Sequence, residues 1–389
     1  MYVKGVEMLR TFLLKKSTLF RGFLSVSILS LSVFVMSTLT ACGGGPNLPG
    51  TIELIDTSIT TPLTAIAVLN DALYIVDENA KLVTYDISDP EDPKKTQQLD
   101  AFKGPHLDLR VAYGDRRLLL IGEDGKVALF DLSDPKKPST IWGGGKTVKL
   151  MDKTGPYFIY ESTNALYMTP GGKTLYRYDL NALDVSDPST ITPADLTKTF
   201  EGTGGGGGVT VMFDDNNTPV RMYVAHATGG KIDAWLLPDL EGGGEAKPSN
   251  TFNVTGVTNI TSLRSYKASA GAIQGWLVVG GDASGDVDLE LLDLGRNFAD
   301  ASEPKSAFTA KMGVPSLVIG SSRLLFNNEL QIWTFPEKPT AASQVAELSL
   351  KATPRIRAMV NSKNYIYAAQ EGGLKIYKFD KGKETTTEE

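Results

Sequence analysis

The chain has 389 residues, 41% of them hydrophobic, with 39 glycines, a single cysteine and a formal net charge of −6. One cysteine excludes an intramolecular disulfide, a multi-cysteine metal centre and a cysteine-pair haem attachment. Residues 1–41 hold five basic side chains and one acid, so the remainder carries 34 basic and 44 acidic groups, a balance that argues against nucleic acid as a partner.

The N-terminal segment reads as an address. Lys4, Arg10, Lys15, Lys16 and Arg21 precede FLSVSILSLSVFVM, an apolar run over 23–36 that is short for a membrane span and suits a signal-peptide core. Translation from Met1 or from Met8 leaves a positive region before it. Leu39-Thr40-Ala41-Cys42 resembles the bacterial lipobox, in which small residues admit the peptidase and the thiol accepts a diacylglyceryl group. The expected layout is a lipoprotein signal peptide over 1–41, acylated Cys42, and a flexible Gly/Pro tether over 42–50. Buried acyl chains give stable anchoring. Gly43 after the cysteine, by resemblance to enterobacterial lipoproteins, implies the outer membrane, with the domain periplasmic or surface-exposed.

From residue 51 to 381 the chain repeats itself with a period of roughly 40–55 residues. The first unit is LTAIAVLN, DALYIVDENA, KLVTYDIS, DPEDPKKTQQLDA; the second is HLDLRVAYGD, RRLLLIGEDG, KVALFDLS, DPKKPSTIW. Each holds apolar or alternating runs of strand length separated by the turn signals Asn70-Asp71, Glu78-Asn79, Gly114-Asp115 and Asp124-Gly125. YDISDPEDP (85–93), FDLSDPKKP (130–138) and DVSDPST (184–190) repeat one turn, in which Ser and Asp side chains bond nearby backbone and Pro presets φ. The turn reads as a strand-to-strand corner. Later units keep the rhythm around 164–190, 221–240, 275–295, 323–339 and 364–380, before a polar tail over 382–389.

The predicted fold is all-β: a β-propeller of about seven four-stranded blades, closed by pairing of the N- and C-terminal segments. Thr51–Thr57 supplies the strand that the last unit lacks, beside Leu374–Phe379, with Ile52 and Leu54 facing inward. The units at 72–93 and 117–138 are similar to the LVIVD-repeat family of bacterial extracytoplasmic propellers, through Tyr74-Ile-Val-Asp77 and Leu82-Val-Thr-Tyr-Asp-Ile-Ser-Asp-Pro90. That resemblance implies the fold and a cell-envelope setting, and no single activity.

Candidate chemistry is sparse. His106 and His226 map to one face of such a propeller and form the candidate ligand-binding pair. Asp282, Asp286 and Asp288 surround a Gly turn and make a calcium candidate. Gly202–Gly208 has no following helix pattern and no Lys-Ser/Thr pair, so it reads as a flexible blade connector rather than a phosphate loop. Trp142, Trp235, Trp276 and Trp333 read as packing between blades. No Gly-x-Ser-x-Gly elbow or His-Glu-x-x-His occurs, no cofactor is implied, and a catalytic role is not expected. The leading expectation is a non-catalytic scaffold, held to the membrane through Cys42, that presents loops to envelope proteins. The alternatives are a glycan or small-ligand binding module, and a lactonase- or hydrolase-type propeller enzyme.

Overall fold

Residues 63–100, the clearest unit in the sequence, form four antiparallel strands in the computed structural model: Leu63–Leu69, Ala72–Asp77, Lys81–Asp86 and Lys94–Asp100, paired in that order. The structure describes residues 52–379 apart from position 56 and a set of connections, the longest being 150–159, 180–196, 238–247, 296–303 and 335–345. Residues 1–51, with Cys42 and the stretches expected to form a signal peptide and a tether, and the tail over 382–389 lie outside the described residues.

Leu, Ile, Val and Tyr fill these strands because such side chains suit a pleated, packed surface. Asn70, at φ 51°, turns the first hairpin, and Ala80, at φ 58°, turns the second. The second unit repeats the plan with His106–Ala112, Arg117–Gly122, Lys126–Asp131 and Ser139–Trp142. Gly125 stands where the first unit has Ala80.

Among the described residues the strands form seven antiparallel sheets, here numbered I to VII in chain order: 63–100, 106–149, 160–201, 206–253, 259–310, 315–349, and 356–379 with 52–55. Six are four-stranded. Sheet II departs from the expected plan, because the short strand Val148–Lys149 also pairs with Lys126–Asp131 and makes a fifth.

The core lies between sheets. Ala65, Ala67, Tyr74 and Val76 of sheet I pack with Leu109, Leu118, Leu120 and Phe130 of sheet II. The opposite face of sheet I, with Leu63, Ile66, Leu73 and Ile75, packs with Tyr367, Ala369, Leu374 and Ile376 of sheet VII. A sheet covered on both faces needs continuous apolar runs rather than strict alternation, which is what ALYIVD and RLLLIG supply. Each buried Leu or Ile side chain contributes about 1.5–3 kcal/mol of transfer free energy, so these seams dominate the stability of the repeat. Trp142, Trp235 and Trp276 are fully buried.

The repeated Asp-x-Ser-Asp-Pro corner has one geometry in both clear units. Asp86 Oδ1 accepts from the Ser88 amide at 2.9 Å, and Asp131 Oδ1 accepts from the Ser133 amide at 2.6 Å. Asp89 and Asp134 accept from the amides of Glu91 and Lys136 at 3.1 and 3.0 Å. The residue after the first acid returns to the preceding hairpin, Ile87 N to Asp71 O at 2.8 Å and Leu132 N to Arg116 O at 2.9 Å.

The strand Ile52–Ile55 pairs antiparallel with Gly373–Phe379, so the two ends of the described chain share sheet VII. Thr57 Oγ1 donates to Leu374 O at 2.6 Å, and Leu374 N donates to Ile59 O at 2.9 Å. Gly373, at φ +102°, permits this approach, since a Cβ there would meet Ile59 O at 1.9 Å. The facing differs from the expectation. Leu54 is 50% exposed, whereas Ile55 packs against the seam between sheets VII and I. Ile55 stands opposite Ile376, and opposite residues share a face. The buried face is therefore set by Ile376, not by the larger number of apolar residues within 52–55.

First strands of successive sheets lie beside one another in the series Tyr160–Ser162, Gly206–Phe213, Asn259–Ala268, Pro315–Ile319, Ile356–Ser362, Leu63–Leu69, His106–Ala112. In all but the first of these, the pairing slips by one residue near the strand's start. The extra residues are Thr64, Leu107, Gly207, Thr261, Ser316 and Arg357. A bulge at one repeated place puts later residues of each first strand on common levels. Gly206–Gly208 belongs to one of these strands, which corrects the reading of a flexible connector for those three residues; 202–205 lie outside the described residues. A Cβ on Gly207 would lie 2.8 Å from His226 O and 2.9 Å from Ile260 O, so glycine there lets sheets IV and V meet.

Candidate functional site

The two histidines stand at the same end of their sheets. His106 opens the first strand of sheet II, and His226 closes the second strand of sheet IV. Each has a different set of partners, and sheets II and IV are not neighbours in the first-strand series.

His106 is buried in the seam between sheets I and II. Its Nε2 donates to Phe102 O at 2.9 Å, and the Phe102 ring meets it edge-on at 5.0 Å. With that proton on Nε2, Nδ1 is an acceptor 3.0 Å from Thr64 Oγ1, whose single proton is shared between Nδ1 and Val76 O at 3.1 Å. Thr64 is the bulged residue of sheet I, so the bulge aims this hydroxyl across the seam. Burial holds the His106 pKa below the ordinary histidine value.

His226 Nε2 lies 2.9 Å from Asp233 Oδ2, and Thr251 donates to Asp233 Oδ1 at 2.6 Å. The three residues stand on successive strands of sheet IV. Asp233 is buried, while 18% of the His226 side chain is exposed. A carboxylate that orients an imidazole is half of a general-base arrangement. Glu290, buried in sheet V, accepts from Gly256 N at 2.6 Å and from Thr255 Oγ1 at 3.2 Å, and so anchors the 255–256 turn.

The calcium candidate falls largely on residues outside the described set: Asp286 and Asp288 lie there, and Asp282 ends the strand Gln274–Asp282. Among the described residues no three His, Cys, Asp or Glu side chains group as metal ligands.

A third constellation was not anticipated. Arg110 and Arg264 are each the third residue after the bulge of their first strands, on sheets II and V. The same level holds Ala67, Thr210, Ile319 and Val360 on the other bulged strands. Arg110 Nε donates to Asp108 Oδ2 at 2.8 Å, and Asp108 Oδ1 accepts from Leu109 N at 2.9 Å. Crowding by protein atoms, joined by the positive charge of Arg110, holds the Arg264 pKa down to about 10, with Asp108 opposing. Solvent still reaches 43% of the Arg110 side chain. The sequence signal is a shared Leu-Arg dipeptide, Leu109-Arg110 and Leu263-Arg264, at mid-strand in units whose other first strands are neutral there.

These features define an all-β protein of repeated antiparallel sheets with an arginine pair on its first strands. Neither a family model nor a curated protein matches the chain.

Proposed function

We propose that this chain is a lipid-anchored outer-membrane β-propeller of seven blades, of the kind the LVIVD-repeat resemblance implies, that acts by binding envelope proteins rather than by covalent catalysis. Two features support the architecture. The first strands follow one another in a continuous series. The two ends of the described chain share one sheet.

The observation that carries the non-catalytic reading is the engagement of the histidine and acid groups. Both nitrogens of His106 and both oxygens of Asp233 hold neighbouring strands or sheets together. Their chemistry is directed inward, to the fold.

Anchoring is tested by Cys42→Ala, which is expected to accumulate a precursor of higher mass; cleavage and release at the same position would overturn it. Binding is tested by reversible cross-linking in intact cells followed by purification of the anchored protein. A discrete, stoichiometric envelope-protein adduct that is lost with Cys42→Ala is the expected result. Turnover of an ester or lactone that Asp233→Asn or His226→Ala abolishes would replace the scaffold with a hydrolase.

A further inference from the structure

We propose that Ile52–Ile55 is a releasable strap. It leaves the edge of Gly373–Phe379 while the sheets stay folded, and it pivots on a clamp formed by Thr57 and Ile59.

The topology sets this strand apart. In sheets I, III, IV, V and VI the strands pair in chain order, so the outermost strand follows directly from its neighbour. In sheet VII the outermost strand has four residues and comes from the other end of the described chain. It is held by its pairing with Gly373–Phe379 and by what its side chains bury. They bury little. Glu53 is exposed, Leu54 is 50% exposed, and Ile55 is only partly buried against the seam. A short edge strand with few buried apolar contacts opens on its own, at a lower free energy than the whole fold.

The contacts change character at Thr57. Thr57 Oγ1 donates to Leu374 O at 2.6 Å and Leu374 N donates to Ile59 O at 2.9 Å, both on a residue with 0% exposure. Gly373 lets the two segments meet, since a Cβ there would lie 1.9 Å from Ile59 O. Ile59 also packs against the seam between sheets VII and I. A loosely held strand outboard of a firm clamp makes a hinge. Opening stops at Thr57, and the seam beneath stays packed through Leu63, Leu73, Tyr367 and Ile376.

Opening has two consequences. The outer edge of Gly373–Phe379 is bared, with its N–H and C=O groups turned to water. In a copy anchored through Cys42, release also adds residues 52–56 to the tether, roughly 17 Å of chain at full extension. A pull from the anchor enters the strap at Ile52, whose pairing with Phe379 is the one farthest from the clamp. This second consequence rests on the anchored reading. The strap does not, and its exchange behaviour is the same whether or not Cys42 is acylated.

The test is amide hydrogen exchange, followed by mass spectrometry, on the purified, detergent-solubilised full-length protein in increasing urea below the unfolding transition. Amides of 52–55 are expected to be protected about tenfold or more relative to an unstructured peptide, and to exchange with little dependence on urea. Those of Ala72–Asp77 should show the full urea dependence of global unfolding. Ile55→Ala is expected to speed exchange over 52–55 about fivefold, and Leu54→Ala about twofold at most. Thr57→Val removes the clamp's hydroxyl and should extend the faster exchange to the Leu374 amide. Exchange over 52–55 that matches Ala72–Asp77 in rate and urea dependence would mean that the strand opens only with the whole protein, and would overturn the strap. Exchange at the rate of an unstructured peptide would overturn it from the other side, because the strand would not close. An unchanged Leu374 amide in Thr57→Val would overturn the hinge.

Discussion

Lys136 donates to the Asp86 carboxylate at 2.6 Å across the boundary between sheets I and II, and Lys378 donates to Glu91 at 2.6 Å across the boundary between sheets VII and I. The two contacts are the same contact with the charges exchanged. Lys136 and Glu91 hold one position in the repeated corner, and Asp86 and Lys378 hold one position at the end of a third strand, opposite Ala72 and Tyr365. Each corner thus grips the preceding sheet. Tyr74 adds a buried version of the same grip, its hydroxyl donating to Pro135 O at 2.8 Å.

That grip has a pH signature. The hydrogen bond from Lys136, and then those from Ser88, hold the Asp86 carboxyl down to about 2. A carboxyl whose pKa is depressed on folding stabilises the fold above its unfolded value and loses that contribution as pH falls through the folded one. The melting temperature should therefore decline between about pH 4 and pH 2, and Asp86→Asn should flatten part of that decline. Reversing one charge, as in Lys136→Asp, should lower the melting temperature at neutral pH. Adding Asp86→Lys should restore it, as a double-mutant cycle followed at low and high salt would register.

Ala80 carries a local conflict of the opposite kind. At φ 58° it holds a conformation that costs an L-residue about 1–2 kcal/mol, and Gly125 occupies the equivalent place in the next repeat without that cost. Glycine loses more backbone freedom on folding, about 0.5–1 kcal/mol. Ala80→Gly should accordingly stabilise the protein by about 0.5–1 kcal/mol, and Gly125→Ala should destabilise it. Denaturant midpoints at unchanged slope would measure both.

The repeat, its corner and the pairing of the chain's ends were legible in the sequence because turn chemistry and strand patterning are local. The corner is written in Asp, Ser and Pro, whose side chains bond within a few residues. The arginine pair was not legible in that way. Arg110 and Arg264 are brought to one level by a bulge, which depends on strand pairing, and two strands far apart in sequence must be compared before the match is visible. Gly207 misled for a related reason: a glycine run signals a flexible linker as readily as it signals close contact between strands, and only the approach of Ile260 decides. The histidines attracted notice by their rarity, and rarity says nothing about whether a ring nitrogen faces a ligand or Phe102 O.

His106 yields a second pH prediction, with its window near neutrality. Burial lowers its pKa in the folded protein, so between the unfolded value of about 6.5 and the lower folded one the unfolded chain binds more protons. Stability is full above the unfolded pKa and falls as the solution is acidified through that window. Protonation would also take away the acceptor that Nδ1 offers to Thr64. His106→Gln should lower the melting temperature at pH 7 and lose the extra decline on going to about pH 5. A variant that keeps the parent's full pH dependence in that range would mean that another group titrates there.

The last prediction concerns the strand contributed by the N-terminal segment. Its register, Leu54 opposite Tyr377 and Ile55 opposite Ile376, puts Ile55 on the face of the seam between sheets VII and I and leaves Leu54 half-exposed. The two residues are adjacent, similar in volume and equally apolar, so the difference between them isolates facing from hydrophobicity. Ile55 is only partly buried, and its truncation removes part of a side chain's transfer free energy with a shallow cavity. Ile55→Ala should cost about 1 kcal/mol. Leu54→Ala should stay within about 0.5 kcal/mol, as surface substitutions do. A shift of the strand by one residue would exchange these two outcomes, because the side-chain period along a strand is two. Equal losses at both positions would mean that the strand is buried on both faces in solution. Negligible loss at Ile55 would mean that residues 52–55 do not hold the last sheet to the first, and that Gly373–Phe379 ends sheet VII unaccompanied.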